Sequence, residues 1–262
     1  MIKISILVDN VAGGKFAAEH GLSYLVEFAN RKLLFDTGHS DMFLQNAKRL
    51  GISVEDEIET VVLSHGHWDH GNGLTYLNNK TLIAHPGVFQ KAFRKANNAS
   101  VRINLSQNEA EKRFNLKRQK TPVEFEPNLW FLGEVPRKNS FESQHTTFCF
   151  ENGADDFVID DTALAAIVNN QLVIISGCAH SGICNICEYA KQVTGINEIK
   201  AVIGGFHLKA ANVQTQKTIE YFKKNGVKEV FPSHCTDLPA LALFQQEFNM
   251  PQIKTGQTYC FE

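Results

Sequence analysis

Leu63-Ser64-His65-Gly66-His67-Trp68-Asp69-His70-Gly71-Asn72-Gly73 is the stretch on which the reading of this chain turns. It follows a short apolar run, Ile58–Leu63, of the kind that forms a buried strand in a covered sheet. Four side chains that bind metals fall between His65 and His70. Imidazole and carboxylate are the N and O donors that zinc and neighbouring divalent ions accept. A strand end feeding a tight turn lets His65 and His67 point the same way, and the start of a helix turns Asp69 and His70 toward a second position. Gly66, Gly71 and Gly73 are expected to free the backbone for that turn. A histidine-rich polar loop is the bland alternative, and three imidazoles with a carboxylate at this spacing weigh against it.

Working outward, strands and helices recur on both sides of the cluster. Ile2–Val8, Leu22–Phe28 and Lys32–Phe35 read as strands. A helix capped by Ser40 follows, with Met42, Phe43, Ala47 and Leu50 at helical spacing. Thr81–His85 reads as a strand and Val88–Lys95 as a helix. Leu129–Leu132 and Phe148–Phe150 read as short strands, and Ala163–Val168 with Leu172–Ser176 as a hairpin turning at Asn169-Asn170. The last third alternates helix Ser181–Val193, strand Ile199–Ile203, helix Val213–Lys224, strand Glu229–Pro232, helix Leu238–Phe248 and strand Ile253–Tyr259. This pattern predicts one layered α/β domain over residues 1–262, with two mixed sheets face to face and helices outside.

Residues 96–128 are polar, basic and poorly periodic, and read as an insertion between the halves. From 91 to 120 the chain carries nine Lys/Arg against Glu109 and Glu111. Such a block either attracts an anionic substrate or forms a solvated face. With Phe93 and Phe114 alone interleaved, nucleic acid is disfavoured as a partner. The net charge of −2 excludes little. No apolar run reaches the roughly 18 residues of a membrane span, and no secretory signal opens the sequence. The six cysteines suggest no disulfide framework. A cytoplasmic protein that does not engage membranes is expected. The sequence sets no oligomeric state.

The His-x-His-x-Asp-His motif after an apolar strand resembles the metallo-β-lactamase superfamily. Ala18-Glu19-His20-Gly21-Leu22-Ser23, Leu34-Phe35-Asp36-Thr37-Gly38, Gly177-Cys178-Ala179-His180-Ser181-Gly182, Gly204-Gly205-Phe206-His207-Leu208 and His234-Cys235-Thr236 follow in one order. As a set they resemble one branch of it. That branch holds the archaeal dihydropterin–ribofuranosylaminobenzene 5′-phosphate synthase of methanopterin biosynthesis and bacterial metal-dependent hydrolases. The resemblance implies a four-layer αββα sandwich. It implies His65 and His67 on a first metal, Asp69 and His70 on a second, and His180 and His234 as further ligands. Cys178 stands where many members place a bridging aspartate. A thiolate ligand or a small buried residue both fit there, and Asp160 or Asp161 could supply a carboxylate instead.

The expected function is a hydrolase that uses a metal-bound hydroxide on a phosphorylated or otherwise anionic small molecule. Its cofactor is one or two divalent ions, zinc first, with manganese or iron accepted by the same donors. Asp69 would position the water, and His207 or His20 would contact the substrate or its developing charge. A pterin-type synthase using the same pocket is the first alternative. The second is a redox or sensory protein using Cys184 and Cys187, although that pair, three apart on one helix face, reads better as core packing.

Overall fold

A computed structural model describes all residues, 1–262. Three apolar clusters define its layering. Alternate side chains of the first half of the chain, among them Ile2, Ile4, Ile6, Tyr24, Val26, Leu33, Phe35 and Val62, share one cluster with Phe131, Leu164, Ala166, Val173, Ile175, Ala201 and Ile203 from the second half. The intervening residues Leu7, Leu25, Leu34, Val61 and Leu82 face the other way, against Phe43 and Ala47. Likewise Ala163, Ala165, Leu172, Ile174 and Val202 face Ile183, Cys187, Phe222 and Phe244. Period-2 alternation on strands buried on both faces therefore makes three apolar interfaces between four layers, α, β, β and α.

The first sheet runs, in spatial order, Thr258–Phe261, Ile2–Val8, Ser23–Phe28, Arg31–Phe35, Thr60–Val62, Lys80–Ala84 and Phe114–Arg118. The second runs Glu229–Ser233, Ile199–Gly205, Gln171–Ser176, Ala163–Val168, Leu129–Phe131 and Val123–Glu126. Each is antiparallel in one half and parallel in the other. Asn169 and Asn170 turn the central hairpin with φ of 47° and 62°, the left-handed pair of a two-residue loop. A third, small sheet of Asp155–Asp156, Phe148–Phe150 and Ala92–Arg94 sits apart. No helix is long and apolar enough to cross a membrane.

Several expectations need correction. Val88–Lys95 is not a helix. Pro86 opens a 3-10 turn over Pro86–Phe89, capped by the His85 ring, and Ala92–Arg94 is then drawn into the small sheet by Phe148–Phe150. Nor do residues 96–128 stand outside the fold. A Ser106/Glu109 capping box starts helix Gln107–Arg113, and the next residues, Phe114–Arg118, extend the first sheet parallel to Lys80–Ala84. Val123–Glu126 edges the second sheet. Their charges mask a period too short to read. Asp41, not Ser40, holds the N-cap position of helix Met42–Arg49, and Ser40 Oγ accepts from Met42 N instead. The final strand starts later than expected because Gly256 makes a turn before it.

Phe131 is fully buried between the two sheets. Phe131→Ala should therefore cost about 3–5 kcal/mol of stability, read as a lowered urea midpoint with an unchanged m-value.

Candidate metal centre

The parallel halves of both sheets end at the same edge of the sandwich, and the loops beyond those strand ends carry the chemistry-bearing side chains. From the first sheet, Thr60–Val62 runs into His65, His67 and the single-turn helix Trp68–Gly71 that bears Asp69 and His70. From the second, Gln171–Ser176 is followed by Cys178 and His180, Ile199–Gly205 by His207, and Glu229–Ser233 by His234 and Cys235. His65 and His70 rings lie 4.2 Å apart between centroids, His65 and His180 4.9 Å, His67 and His180 4.8 Å, and His70 and His234 4.7 Å. His180 and His207 lie at 4.3 Å. Every residue expected at the metal site is thus within one cluster.

Hydrogen bonds fix which nitrogen each ring presents. The Asp36 carboxylate accepts from His70 Nδ1 at 2.7 Å and from Ser64 N and Oγ at 2.7 and 2.6 Å. With its proton given to Asp36, Ser64 Oγ accepts from His65 Nδ1 at 2.9 Å. Asn10 does the same on the other side. Its Oδ1 accepts from His234 Nδ1 at 3.0 Å, and its Nδ2 donates to His20 Nδ1 at 3.2 Å. His20 Nε2 consequently donates to Asp69 Oδ2, 3.2 Å away. His65 is left with an Nε2 lone pair facing inward, and Nε2 of His70 and of His234 point to the same place. His70 Nε2 lies 3.1 Å from both Cys178 Sγ and His234 Nε2, and His234 Nε2 lies 3.4 Å from Asp69 Oδ2.

A divalent ion fits this arrangement. His65 Nε2, His67 Nε2 and His180 Nε2 are buried with no hydrogen-bond partner. Such orphaned groups cost about 1–3 kcal/mol each, a cost that ligation removes. His65, Cys178 and His180 form one triad of donor atoms within 4.8 Å of one another, and His70, Cys178 and His234 a second. Burial, helped by neighbouring imidazoles, holds His65, His67 and His180 well below the ordinary histidine value, so these rings are neutral. Burial also opposes charge on His70, but the Asp36 and Asp69 carboxylates outweigh it and raise this ring to about 9. An ion at Nε2 takes the place of that proton. Asp69 is lowered well below the usual carboxylate range, its burial outweighed by His70, His20 and His234. Burial pushes the Cys178 thiol up.

The loop between the ligands is held by charge. Asp160 Oδ2 accepts from Gly66 N at 2.8 Å and pairs with Arg102 Nη1 at 2.6 Å, while Asp156 takes Arg102 Nη2 at 2.7 Å. Trp68 N donates to Val101 O and Ile103 N to Gly66 O, so residues 101–103 zip along the metal loop. The glycines there serve close approach, not an unusual turn. A Cβ on Gly66 would lie 2.3 Å from Val88 O and 2.8 Å from Arg102 Nη1, and its φ is not positive. Asp160 and Asp161 each use Oδ2 on structure, the latter accepting from Ser181 N and Oγ, and each keeps a buried Oδ1 without a partner.

A cleft of about 440 Å³ opens over the cluster, walled by His20, Trp68, Phe148 and His207, with Arg94 and Lys209 at its lining. Phe148, from the small sheet, packs edge-on to His67 with centroids 4.8 Å apart. His85 pairs with Glu134, and His39 packs on Trp68. Cys184 and Cys187 are buried in the outer core, where burial raises both thiols, which fits packing rather than redox use. Asn10, Asp36 and Arg102 are the functional residues that sequence reasoning passed over. Asp36 sat in a quoted motif, but nothing local linked Asn10 or Arg102 to the histidines.

Two outcomes follow. Asp36→Ala frees His70 and, through Ser64, His65. It should weaken metal affinity by about 10–100-fold, measured by chelator competition. Arg102→Ala leaves two buried carboxylates without a counter-charge and should lose about 3–5 kcal/mol of stability, measured by denaturant unfolding.

A model of the metallo-beta-lactamase superfamily matches residues 17–163. The chain is 35% identical over 272 residues to the 7,8-dihydropterin-6-methyl-4-(beta-D-ribofuranosyl)-aminobenzene-5'-phosphate synthase of Methanocaldococcus jannaschii, covering 94% of this chain and 92% of that one. A second, uncharacterized protein of the same archaeon is 36% identical, covering 93% and 94%. The crystal structure of Tm1679, a metal-dependent hydrolase of the beta-lactamase superfamily, superposes with a TM-score of 0.88 at 31% identity, covering 100% and 99%. Zn(2+)-bound PqqB from Methylobacterium extorquens shares the fold, with a TM-score of 0.57 at 14% identity over 99% and 100% of the chains. With this motif, layering and strand-end cluster, the chain belongs to the metallo-β-lactamase superfamily.

Proposed function

We propose that this protein is a metal-dependent hydrolase acting on a phosphorylated or otherwise anionic small molecule. One observation carries the reading: unpartnered inward nitrogens of His65, His67 and His180 converge beside Asp69, at the floor of a cleft lined by Arg94 and Lys209. His65, His67, His180, His70, His234, Asp69 and Cys178 would hold one or two divalent ions, zinc first. When bound, such ions lower the pKa of a coordinated water to near neutrality and polarise a phosphoryl or carbonyl oxygen.

The protein's own groups do the rest. Asp69, anionic and tied to His20 and His234, orients water by accepting its hydrogen bond and can take its proton. His20 is half exposed at the cleft wall, and its Nε2 proton is directed at Asp69 by Asn10. His207 carries a partnerless Nδ1 on the cleft wall, placed to contact the substrate or charge developing on it. Arg94 and Lys209 attract the anionic group, and Phe148 keeps water from one side of His67.

A second reading is favoured by the relative whose name is a synthase, matched over nearly the whole chain. It uses the same pocket for carbon transfer instead of net hydrolysis. Products separate the two: bis-(p-nitrophenyl) phosphate releasing nitrophenol, against a dihydropterin pyrophosphate condensing with an aminobenzene ribotide. For the hydrolase, His67→Ala should lower kcat/KM on the phosphodiester by at least about 100-fold, roughly 2.7 kcal/mol of transition-state stabilisation. Elemental analysis of the two proteins should show metal lost in parallel. Turnover unaffected by the substitution, or absent from a metal-replete wild type, would refute the hydrolytic reading.

A further inference from the structure

Cys178 belongs to three triads of donor atoms, not two. The third joins it to His207 and Cys235, again with all donor atoms within 4.8 Å of one another. We propose that Cys178, Cys235 and His207 form a separate, sulfur-rich cation position that takes a thiophilic ion such as zinc, cobalt or cadmium, with Cys178 shared between it and the histidine-rich centre.

Three neighbouring parallel strands build it. Gln171–Ser176, Ile199–Gly205 and Glu229–Ser233 are in register, with Ser176 opposite Gly204 and Gly205 opposite Ser233. The loops leaving them deliver one ligand each, on rigid supports rather than on a mobile segment. A tetrahedral zinc holds N and S ligands roughly 3.3–3.8 Å apart, so small side-chain rotations close the triad on an ion.

The backbone makes room for the second thiol. A Cβ on Gly205 would lie 2.6 Å from Cys235 Sγ and 2.4 Å from Gly177 O. Glycine at this position therefore leaves the space that the Cys235 sulfur fills. Cys235 Sγ donates to Cys178 O at 3.5 Å, the weak hydrogen bond that a thiol makes. His207 adopts a left-handed φ of 51°, and its Nδ1 is buried without a partner. All three residues line the cleft over the histidine cluster. Two thiolates and an imidazole select soft and borderline ions over magnesium, calcium or manganese. Each ion bound releases the two thiol protons to solvent, and no electron is transferred.

The inference extends the proposed metal chemistry but is tested without turnover. Metal-free protein is titrated anaerobically with cobalt(II) and followed by absorption. Thiolate ligation gives a near-ultraviolet charge-transfer band that imidazole and carboxylate ligands do not. Wild type should show this band, and Cys235→Ser should lose about half of it while keeping the visible absorption of histidine-bound cobalt. His67→Ala should keep the band and lose only the part of the visible absorption that comes from histidine-bound cobalt. An unchanged band and stoichiometry in a folded Cys235→Ser protein make Cys235 a packing thiol and end the proposal. Should that variant not fold, cadmium-113 NMR of the unmodified chain decides. A resonance in the mixed-thiolate range supports the position, and resonances confined to the nitrogen–oxygen range overturn it. Phosphodiester turnover without a Cys235-dependent band would defeat this inference alone. A Cys235-dependent band without turnover would defeat the hydrolase alone.

Discussion

The two halves of the molecule meet at a set of inward-facing imidazoles, and nothing in the protein satisfies Nε2 of His65, His67 and His180 or Nδ1 of His207. His65, His67 and His70 come from the first sheet, and His180, His207 and His234 from the second. Below them the sheets are joined mainly by apolar contact, which is strong but not directional, with a buried Tyr24–Ser233 hydrogen bond among the few polar links. At the strand ends the contact becomes specific, because neutral rings with inward lone pairs stay close only where something shares those lone pairs. A divalent ion at this edge would bridge the sheets, and the free energy of binding it would count toward the fold as well as toward chemistry. The layering matters because it alone places loops from both sheets at one edge.

Orientation of those rings depends on groups that never meet an ion. Asp36 sets His70 directly and His65 through Ser64. A single amide, Asn10, sets His20 and His234 with opposite ends. Arg102 and Asp160 fix the backbone between His65 and His67. Each device uses a charge or an amide whose partners are all inside the protein. Removing one therefore exposes a buried counterpart, and the effect reaches the ligands although the residue itself would bind no ion.

This division explains what the sequence made legible. The histidine cluster and the helix–strand alternation after Ala163 are local: ligands within six positions, apolar residues at regular spacing. The orienting groups are not. Asn10 and His234 are 224 positions apart, and Gly66 and Asp160 are 94 apart. No composition or spacing signal spans such distances, and an Asn in a loop after a strand looks like any turn residue. Residues 96–128 misled for another reason. Arg102 lies in a run of basic residues that reads as solvent-facing, yet it is the buried member, neutralised by Asp156 and Asp160. Others in that run are spent singly, Lys91 on Glu151, Lys95 on Asp155 and Lys120 on Glu134. Charge density along the chain was therefore not charge density in space.

Charge in space bears on the substrate. Carboxylates around the site are mostly paired: Asp36 with His70, and Asp156 and Asp160 with the one guanidinium of Arg102 between them. Asp69 is the acidic group in the ligand ring itself, and it already accepts from His20. With His70 protonated against Asp36, one divalent cation held by the neutral His65, His67 and His180 would outweigh the single charge of Asp69 in the ligand ring, and Arg94 and Lys209 would add to that field from the lining. In a partly buried cleft such a field is poorly screened. A cationic substrate would be repelled there and a neutral one held weakly, whereas a phosphate or carboxylate would be drawn toward the atoms that activate water. The anion preference proposed above thus rests on how the fold neutralises its own acids, and the same argument would apply whether a bound anion were hydrolysed or passed to a second substrate.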